Sequence, residues 1–402
     1  MEQWDHVVVG AGIAGVSAAR VIVDQNAQHR VLLVNGEEGF PYKRTRLSKR
    51  IAEGFSPNDA YLEDPAWYSE HGVEIRNSSR ATEIDAGGRI VRLSDQSEHR
   101  YGSLLLATGA KPVYPPTFAR KEEAGVYTLR SVADLTAIRA AAVDARRILV
   151  DGMGVLAVEV AEQLCAMGKR VTVAGAAAQL MPRNLNDRAA EILEHLLLDR
   201  GVKLRYREEM LAIEKRSKGG FSVSTIREAA AFDMVIVCIG VLPDLDLAQD
   251  AGAAVGRGVL VDRHQRTSMP GIYAAGDVAE DEEGRVTQLW HAAEYQGRIA
   301  ALNMVGQKEE GDLLPFRMKC EVFDTYFFSM AKPENLVDVE IDERESADHY
   351  RCFYYSAGRL GGAVMVHDKA RARLYEQAVR ERWDRDRVET EFDRRSPPRG
   401  ED

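Results

Sequence analysis

Two short glycine-rich stretches, each between an apolar strand and a helix, constrain the fold of this chain more than any other feature. The first is VVVGAGIAG at residues 7–15, and the second is DGMGVLAVE at residues 151–159. In such a loop the first glycine permits a tight turn, the second lets the backbone approach a pyrophosphate, and the third allows close helix–strand packing. The free N–H groups and the dipole of the following helix favour a negative charge there. The pattern predicts two βαβ dinucleotide-binding units in one chain.

The first loop supplies the three glycines that the pattern requires, Gly10, Gly12 and Gly15, and Ala14 beside them is a further candidate cofactor-binding residue. The next strand, RVLLV, ends at Asn35, where an acidic residue usually binds the ribose hydroxyls. Glu37 and Glu38 follow closely and could supply that carboxylate. A structural βαβ unit without a ligand is the alternative interpretation of this segment.

The second loop has Gly152 and Gly154, with Ala157 at the third position, a substitution that the pattern tolerates. Its next strand, RVTVAG, ends at Gly175, so neither a carboxylate for a free 2′-hydroxyl nor an adjacent arginine for a 2′-phosphate is present. The residues of the second loop therefore do not distinguish NADH from NADPH as the ligand. The alternative interpretation is a loop that binds no ligand. Two dinucleotide sites in one chain indicate hydride transfer between a resident flavin and a visiting nicotinamide.

Composition limits the class of protein. A chain of 402 residues is long enough for two or three domains, and 45% of its residues are hydrophobic. The formal net charge is −10, with basic residues interspersed among the acids, which argues against a nucleic-acid partner. The chain has no apolar run of the roughly 18 residues that a membrane span needs, and its start lacks the features of a signal peptide. We expect a cytoplasmic protein without a membrane span.

The four cysteines are scattered along the chain: Cys165, Cys238, Cys320 and Cys352. They form no CxxC pair, and no histidine lies at zinc-site spacing from them. We therefore expect no metal site and no dithiol relay, and we expect these residues to be small core side chains.

Further motifs give the chain a specific resemblance. LLLATGA at 104–110, CIGVLPD at 238–244 and TSMPGIYAAGDV at 267–278 follow the first loop in order. With both loops they resemble the pyridine nucleotide-disulfide oxidoreductase superfamily, and within it the rubredoxin and ferredoxin reductases. The resemblance implies an FAD site, with Asp277 contacting the ribityl and phosphate region. It also implies cofactor contacts from small residues near three strand ends: Ala107, Thr108, Gly109, Gly240 and Gly276.

Two more segments resemble parts of that family that border the flavin ring. WHAAEYQGRIAALNM, which begins with Trp290 and His291, is similar to the helix beside the isoalloxazine. PYKRTRLSK at 41–49 is similar to the PYxRxxLSK segment under the flavin, with Arg44 and Lys49 in register. It lacks the redox cysteine of the disulfide-reducing members, and it has Thr45 and Arg46 where the ferredoxin reductases have prolines.

The resemblance implies two catalytic residues, Lys49 and Glu159. The matching Glu orients the nicotinamide carboxamide and pairs with the Lys beside flavin N5. In this chain Glu159 follows Ala157 by two residues, on the first part of the helix after the second loop. A carboxylate there is favoured by the helix dipole.

These markers predict an α/β fold with two Rossmann-like, three-layer dinucleotide-binding domains and a small α+β C-terminal domain. The FAD domain would span residues 1–111 and 240–312, split by an NAD(P) domain at 112–239, with KPVYPPTFAR at the crossing. The C-terminal domain would span 313–386, where RCFYYS and GGAVMVH predict two strands joined at AGR and followed by a helix. The polar segment 387–402 is expected to be a disordered tail.

The leading functional hypothesis is an FAD-dependent NAD(P)H oxidoreductase that passes electrons to a small redox protein such as rubredoxin or ferredoxin. A flavin accepts two electrons together and can release them singly, so no cysteine relay is required. An NADH oxidase or quinone reductase is one alternative, and a non-catalytic flavoprotein that responds to NAD is another. The sequence is compatible with a monomer or a homodimer.

Overall fold

The computed structural model describes residues 1–115, 125–217, 219–312 and 315–393, except for the side chain of residue 393. The first part of the chain contains β1 Glu2–Val9, α1 Ile13–Gln25, β2 Val31–Val34, α2 Pro65–Glu70, β3 Val73–Arg76, β4 Ala81–Asp85, β5 Ile90–Leu93, β6 Glu98–Leu106 and β7 Ala110–Pro112. The next part contains β8 Val126–Tyr127, α3 Val132–Ala142, β9 Arg147–Asp151, α4 Val155–Ala166, β10 Arg170–Gly175, α5 Asp187–Asp199, β11 Lys203–Tyr206, β12 Met210–Lys215, β13 Phe221–Thr225, β14 Ala229–Phe232 and β15 Met234–Val237.

The chain then continues with β16 Val241–Pro243, α6 Asp246–Asp250, β17 Val259–Leu260, β18 Ile272–Ala274, β19 Ala279–Glu280 and α7 Trp290–Met304. The last part contains β20 Arg317–Val322, β21 Thr325–Met330, β22 Glu340–Glu345, β23 Tyr350–Ser356, β24 Arg359–Val366, α8 Ala372–Arg380 and α9 Arg385–Asp393. Among the helices of the described ranges, none combines the length and the apolar character needed to cross a bilayer.

The chain divides into two compact units. Unit 1 comprises residues 1–47, 55–111 and 241–313, and unit 2 comprises 48–54, 112–240 and 314–402. Residues 48–54, which we expected within the FAD domain, thus group with the inserted segment. They are held there by unit 2 side chains, because Arg139 of α3 donates to the Ala52 carbonyl over 2.8 Å and Gln163 of α4 accepts from the Ala52 N–H over 3.3 Å.

Unit 1 contains a seven-stranded sheet in the order β3-β2-β1-β6-β5-β4, with β18 paired to β6. The strands around β1 are parallel, and β4 and β5 form an antiparallel extension. In β1, Val7 and Val9 lie in one buried apolar cluster, whereas Val8 lies in another. Burial on both faces explains why β1 is a continuous apolar run rather than an alternating pattern.

Unit 2 contains a five-stranded parallel sheet in the order β11-β10-β9-β15-β8 and an antiparallel sheet of β12, β13 and β14. The helix α3 begins with a capping box in which Ser131 and Asp134 bond reciprocally to backbone N–H groups. Together with unit 1, this parallel α/β architecture confirms the predicted fold class.

The C-terminal part of unit 2 is a five-stranded antiparallel sheet in the order β20-β21-β24-β23-β22, covered by α8 and α9. The predicted hairpin and following helix are confirmed as β23, β24 and α8. The disorder predicted from residue 387 is wrong as far as residue 393, which belongs to α9. This helix forms because Val388 and Phe392, four residues apart, are both buried in the core of this sheet. Residues 394–402 of the predicted tail, and residues 116–120 of the predicted crossing, lie outside the described residues.

Candidate cofactor and active site

The first glycine-rich loop brings backbone segments closer than side chains would allow. Gly10 has φ +115°, and a Cβ there would lie 2.1 Å from the Ala107 carbonyl oxygen. A Cβ on Gly15 would lie 2.0 Å from the carbonyl oxygen of Gly10. Gly12 precedes α1 and has open space around its Cβ position, and none of the described side chains caps this helix. The loop therefore leaves room and free N–H groups for a pyrophosphate, which fits the FAD that the sequence predicts.

Small residues from two other segments lie beside the start of α1. Gly276, with φ +82°, would place a Cβ 3.1 Å from that of Ala14, and its N–H donates to Gln296 over 2.9 Å. Half-buried Asp277 follows directly. The backbones of α1 and α7 also approach closely, because a Cβ on Gly297 would lie 2.2 Å from the Ala14 carbonyl oxygen.

The turn after β6 is tied to the segment that returns from the insertion. The Thr108 hydroxyl donates to the Asp244 carbonyl over 3.2 Å, and the Asp244 N–H donates to the Gly109 carbonyl over 3.1 Å. Gly109 has φ +75°, a conformation that favours glycine. Ala107, Thr108 and Gly109 are thus fixed next to Gly10 through backbone contacts.

Asn35 holds the loop after β2 in shape. Its buried side-chain amide donates to the Gly39 carbonyl over 3.0 Å and to Asn77 over 2.9 Å, and its oxygen accepts from the Glu37 N–H. Glu37 is bonded by its carboxylate to Arg44 over 2.5 Å and to the Tyr42 hydroxyl over 2.7 Å. The structure therefore joins Glu37 and Arg44, which the sequence indicated separately, and it leaves Glu38 exposed beside them.

Trp290 and His291 form the first turn of α7, and both are partly exposed. The His291 ring nitrogen lies 3.6 Å from Glu294, three residues further along the helix. These two residues begin the same helix whose Gly297 contacts α1, so they belong to unit 1 together with the first loop.

The second loop repeats the backbone geometry of the first. Gly152 has φ +141°, and a Cβ there would lie 2.3 Å from the Cys238 carbonyl oxygen. Gly154 precedes α4 with open space around it, and among the described residues no side chain caps that helix. Ala157 is fully buried, and Gly240, with φ +121°, accepts from the Val113 N–H over 3.0 Å. The loop thus fits a second dinucleotide.

Asp151, directly before Gly152, was not predicted as a site residue. It is 5% exposed at the end of β9, and burial raises its pKa to about 7, with a smaller contribution from the negative charge of Glu209. Its only sequence signal is an acidic residue at the end of the apolar strand RILVD. At the end of the next strand, a Cβ on Gly175 would lie 2.9 Å from the Met153 side chain, so an acidic side chain there would require Met153 to shift.

The two predicted catalytic residues lie together in unit 2. The Lys49 Nζ is 3.4 Å from Oε1 of Glu159, whose side chain is 8% exposed. The Ser48 hydroxyl donates to Oε2 of the same carboxylate over 2.5 Å, and the Cys320 Sγ lies 3.8 Å from Oε1. Sequence reasoning missed Ser48 and Cys320 as partners of Glu159, although Ser48 lies inside the LSK segment.

The cysteines are free thiols whose ionisation is disfavoured. Burial raises the pKa of Cys165 and of Cys352 to about 11, and it raises the pKa of Cys238 and of Cys320 further. Because the thiolate is the reactive form, these side chains are poor nucleophiles.

The chain belongs to the pyridine nucleotide-disulphide oxidoreductase family, whose sequence profile matches residues 4–297. This confirms the resemblance found in the sequence. The chain is 35% identical to the ferredoxin–NAD(+) reductase component of the anthranilate 1,2-dioxygenase system of Burkholderia cepacia, over 77% of this chain and 78% of that relative. It is 33% identical to the rubredoxin-NAD(+) reductase of Pseudomonas putida, over 75% of this chain and 80% of that relative. A ferredoxin reductase from Rhodopseudomonas palustris has a similar structure, with a TM-score of 0.83, 25% identity and 91% of each chain covered.

Proposed function

We propose that this protein is an FAD-dependent reductase that oxidises NADH and passes the electrons to a small iron-sulfur protein of the rubredoxin or ferredoxin type. The observation that carries the proposal is the presence of two open, uncapped glycine-rich loops together with the Lys49–Glu159 pair. The reductases named above support the same activity. FAD supplies the conversion between hydride transfer and single-electron release.

In unit 1, we propose that the N–H groups at the start of α1 bind the FAD pyrophosphate, with Gly12 giving the backbone access. Glu37, held by Arg44, would bind the adenosine ribose, and Asp277 would contact the ribityl and phosphate region. Trp290 and His291 would border the flavin ring. Ala107, Thr108, Gly109 and Gly276 would shape the cavity through close backbone contacts.

In unit 2, we propose that Gly152, Gly154 and Ala157 shape the NADH loop and that Gly240 shapes its return. NADH is the proposed donor because both relatives named above are NAD(+) reductases. Residues 176–178, which follow β10, are all alanine and supply no cation for a 2′-phosphate. Glu159 would accept a hydrogen bond from the nicotinamide carboxamide, and Lys49 would hold the Glu159 carboxylate through the ion pair described above.

The proposal is tested by stopped-flow spectroscopy of the purified yellow protein. NADH should bleach the flavin absorbance, and a rubredoxin or ferredoxin should restore it. Rapid NADH consumption with oxygen as the sole acceptor would favour the oxidase alternative. A protein that cannot be reconstituted with FAD would refute the proposal.

Substitution tests the roles of the paired residues. Lys49→Ala and Glu159→Ala should each slow flavin reduction at saturating NADH by at least about tenfold, equivalent to about 1.4 kcal/mol of barrier, while FAD stays bound. The matched control is Arg50→Ala, which removes a neighbouring cation whose partner is exposed Glu53. Wild-type rates in both paired-residue variants would remove these residues from the mechanism and leave the cofactor sites untouched.

A further inference from the structure

The carboxylate of Glu159 is held by donors from two segments that are far from it in sequence. Ser48 and Lys49 precede it by more than a hundred residues, and Cys320 follows it by 161. Glu159 itself is 6% exposed, Ser48 is 5% exposed and Cys320 is 1% exposed. The three contacts lie within unit 2.

The backbone near Cys320 and near Ser48 is also hydrogen-bonded to other side chains of α4. Next to Cys320, the Phe323 N–H donates to Oε1 of Glu162 over 2.6 Å, one turn along the helix from Glu159. Next to Ser48, the Ala52 N–H donates to Gln163 over 3.3 Å. Both segments that contact Glu159 thus have an independent attachment to the same helix.

The three contacts restrict the orientation of the Glu159 carboxylate. A carboxylate offers about four lone-pair positions, and its terminal torsion is otherwise broad. Ser48 uses Oε2, whereas Lys49 and Cys320 use Oε1. Ser48 and Cys320 each take an acceptor position, one on each oxygen, and the Lys49 ammonium adds an ionic contact to Oε1. These contacts restrict rotation of the carboxylate and leave acceptor capacity for a ligand.

We propose that Ser48 and Cys320 are positioning residues that fix the carboxylate of Glu159 so that one acceptor site faces the nicotinamide carboxamide. Cys320 acts in this role as a hydrogen-bond donor and not as a redox group. The proposal rests on the proposed function, since it assumes that Glu159 contacts the nicotinamide. A site held within about 0.5 Å of its productive geometry needs such supporting contacts.

The test is a double-mutant cycle on flavin reduction at saturating NADH. Ser48→Ala should lower the limiting rate by at least about fivefold, because misplacement of a reacting group is costly. In the Glu159→Ala background the same substitution should have no further effect, because no carboxylate is left to position. An equal slowing in both backgrounds, or no slowing by Ser48→Ala in the wild-type background, would overturn the proposal.

Cysteine variants provide the second arm. Cys320→Val, which removes the donor at similar volume, should slow reduction about two- to threefold, and Cys320→Ser should restore the rate. The matched control is Cys352→Val, since the Cys352 Sγ lies at a similar distance, 4.0 Å, from Glu343 in the same sheet. Equal slowing by the two valine variants would overturn the role of Cys320.

A binding measurement separates this proposal from the proposed function. The affinity of the oxidised holoprotein for NAD+ is measured by equilibrium dialysis with the same variants. Ser48→Ala should weaken NAD+ binding in the wild-type background and leave it unchanged in the Glu159→Ala background. If wild-type protein binds NAD+ with this pattern but is not reduced by NADH, the proposed function fails and the positioning role stands. If NADH reduces the protein and the pattern is absent, only the positioning role fails.

Discussion

Asp151→Asn should stabilise the protein at alkaline pH. The folded state raises the pKa of Asp151 from 3.8 to about 7, mainly by burial. Between these two values the folded protein holds a proton that the unfolded chain has released, so the free energy of unfolding falls as the pH rises. This pKa difference of about 3 units lowers the free energy of unfolding by roughly 4 kcal/mol at pH 8 and by less than 2 kcal/mol at pH 5. The amide removes this cost because it does not ionise.

Urea unfolding of wild type and variant, followed by circular dichroism between pH 5 and pH 8, measures the effect. We expect the stability advantage of Asp151→Asn over wild type to grow by about 2 to 3 kcal/mol across that range. The control is Asp233→Asn. The hydrogen bond from Arg147 holds the pKa of Asp233 at about 2, so Asp233 stabilises the fold above pH 3.8 and loses that effect as the pH falls. Its replacement should therefore destabilise the protein at pH 8, by about 1 kcal/mol after solvent screening.

The two variants should thus have opposite signs at pH 8. A constant difference between Asp151→Asn and wild type from pH 5 to pH 8 would refute the reasoning, because it would show that Asp151 does not titrate in this range in the folded protein. A loss of stability at pH 8 would show that the carboxylate makes favourable contacts there.

Two further substitutions follow from the packing. Gly10→Ala should yield protein with little bound FAD, measured by the ratio of flavin to protein absorbance, because its Cβ would lie 2.1 Å from the Ala107 carbonyl oxygen. Asp368→Ala should lower the free energy of unfolding by about 3 to 5 kcal/mol in urea, because it leaves the buried Arg351 guanidinium without its 2.8 Å carboxylate partner. Glu321→Ala, which removes an exposed ion pair with Lys369, should cost at most about 1 kcal/mol in the same assay.

Much of the fold could be predicted because its signals are local. Glycines at fixed spacing, apolar strands and the hairpin at AGR each specify structure within a few residues. The membership of 48–54 in unit 2 could not be predicted in this way, because it depends on Arg139 and Gln163 of helices far along the chain. The helix α9 was missed for the same kind of reason, since Val388 and Phe392 are apolar positions in a very polar segment and acquire a role only against the C-terminal sheet.

Some residues of the candidate site could likewise be predicted from the sequence, and others could not. The resemblance predicted that Lys49 and Glu159 meet, and the structure brings them to 3.4 Å, while their catalytic roles stay predictions. The partners Ser48 and Cys320 escaped notice because a serine and a cysteine carry no distinctive spacing. Asp151 was missed because burial, which is absent from the sequence, determines its unusual pKa.

The attachment of two distant chain segments to α4 has a consequence for biosynthesis. The chain contributes to unit 2 in three separate stretches, so no continuous stretch of the chain consists of unit 2 alone. A ribosome that adds about 5 to 20 residues per second needs roughly ten to thirty seconds to extend the chain from Glu159 to Cys320, 161 residues later. During that interval the surface of α4 that later binds β20 has no covering strand from its own chain, and nascent protein is open to chaperones there. Truncation before residue 317 should therefore leave that surface permanently uncovered and lower the yield of soluble protein.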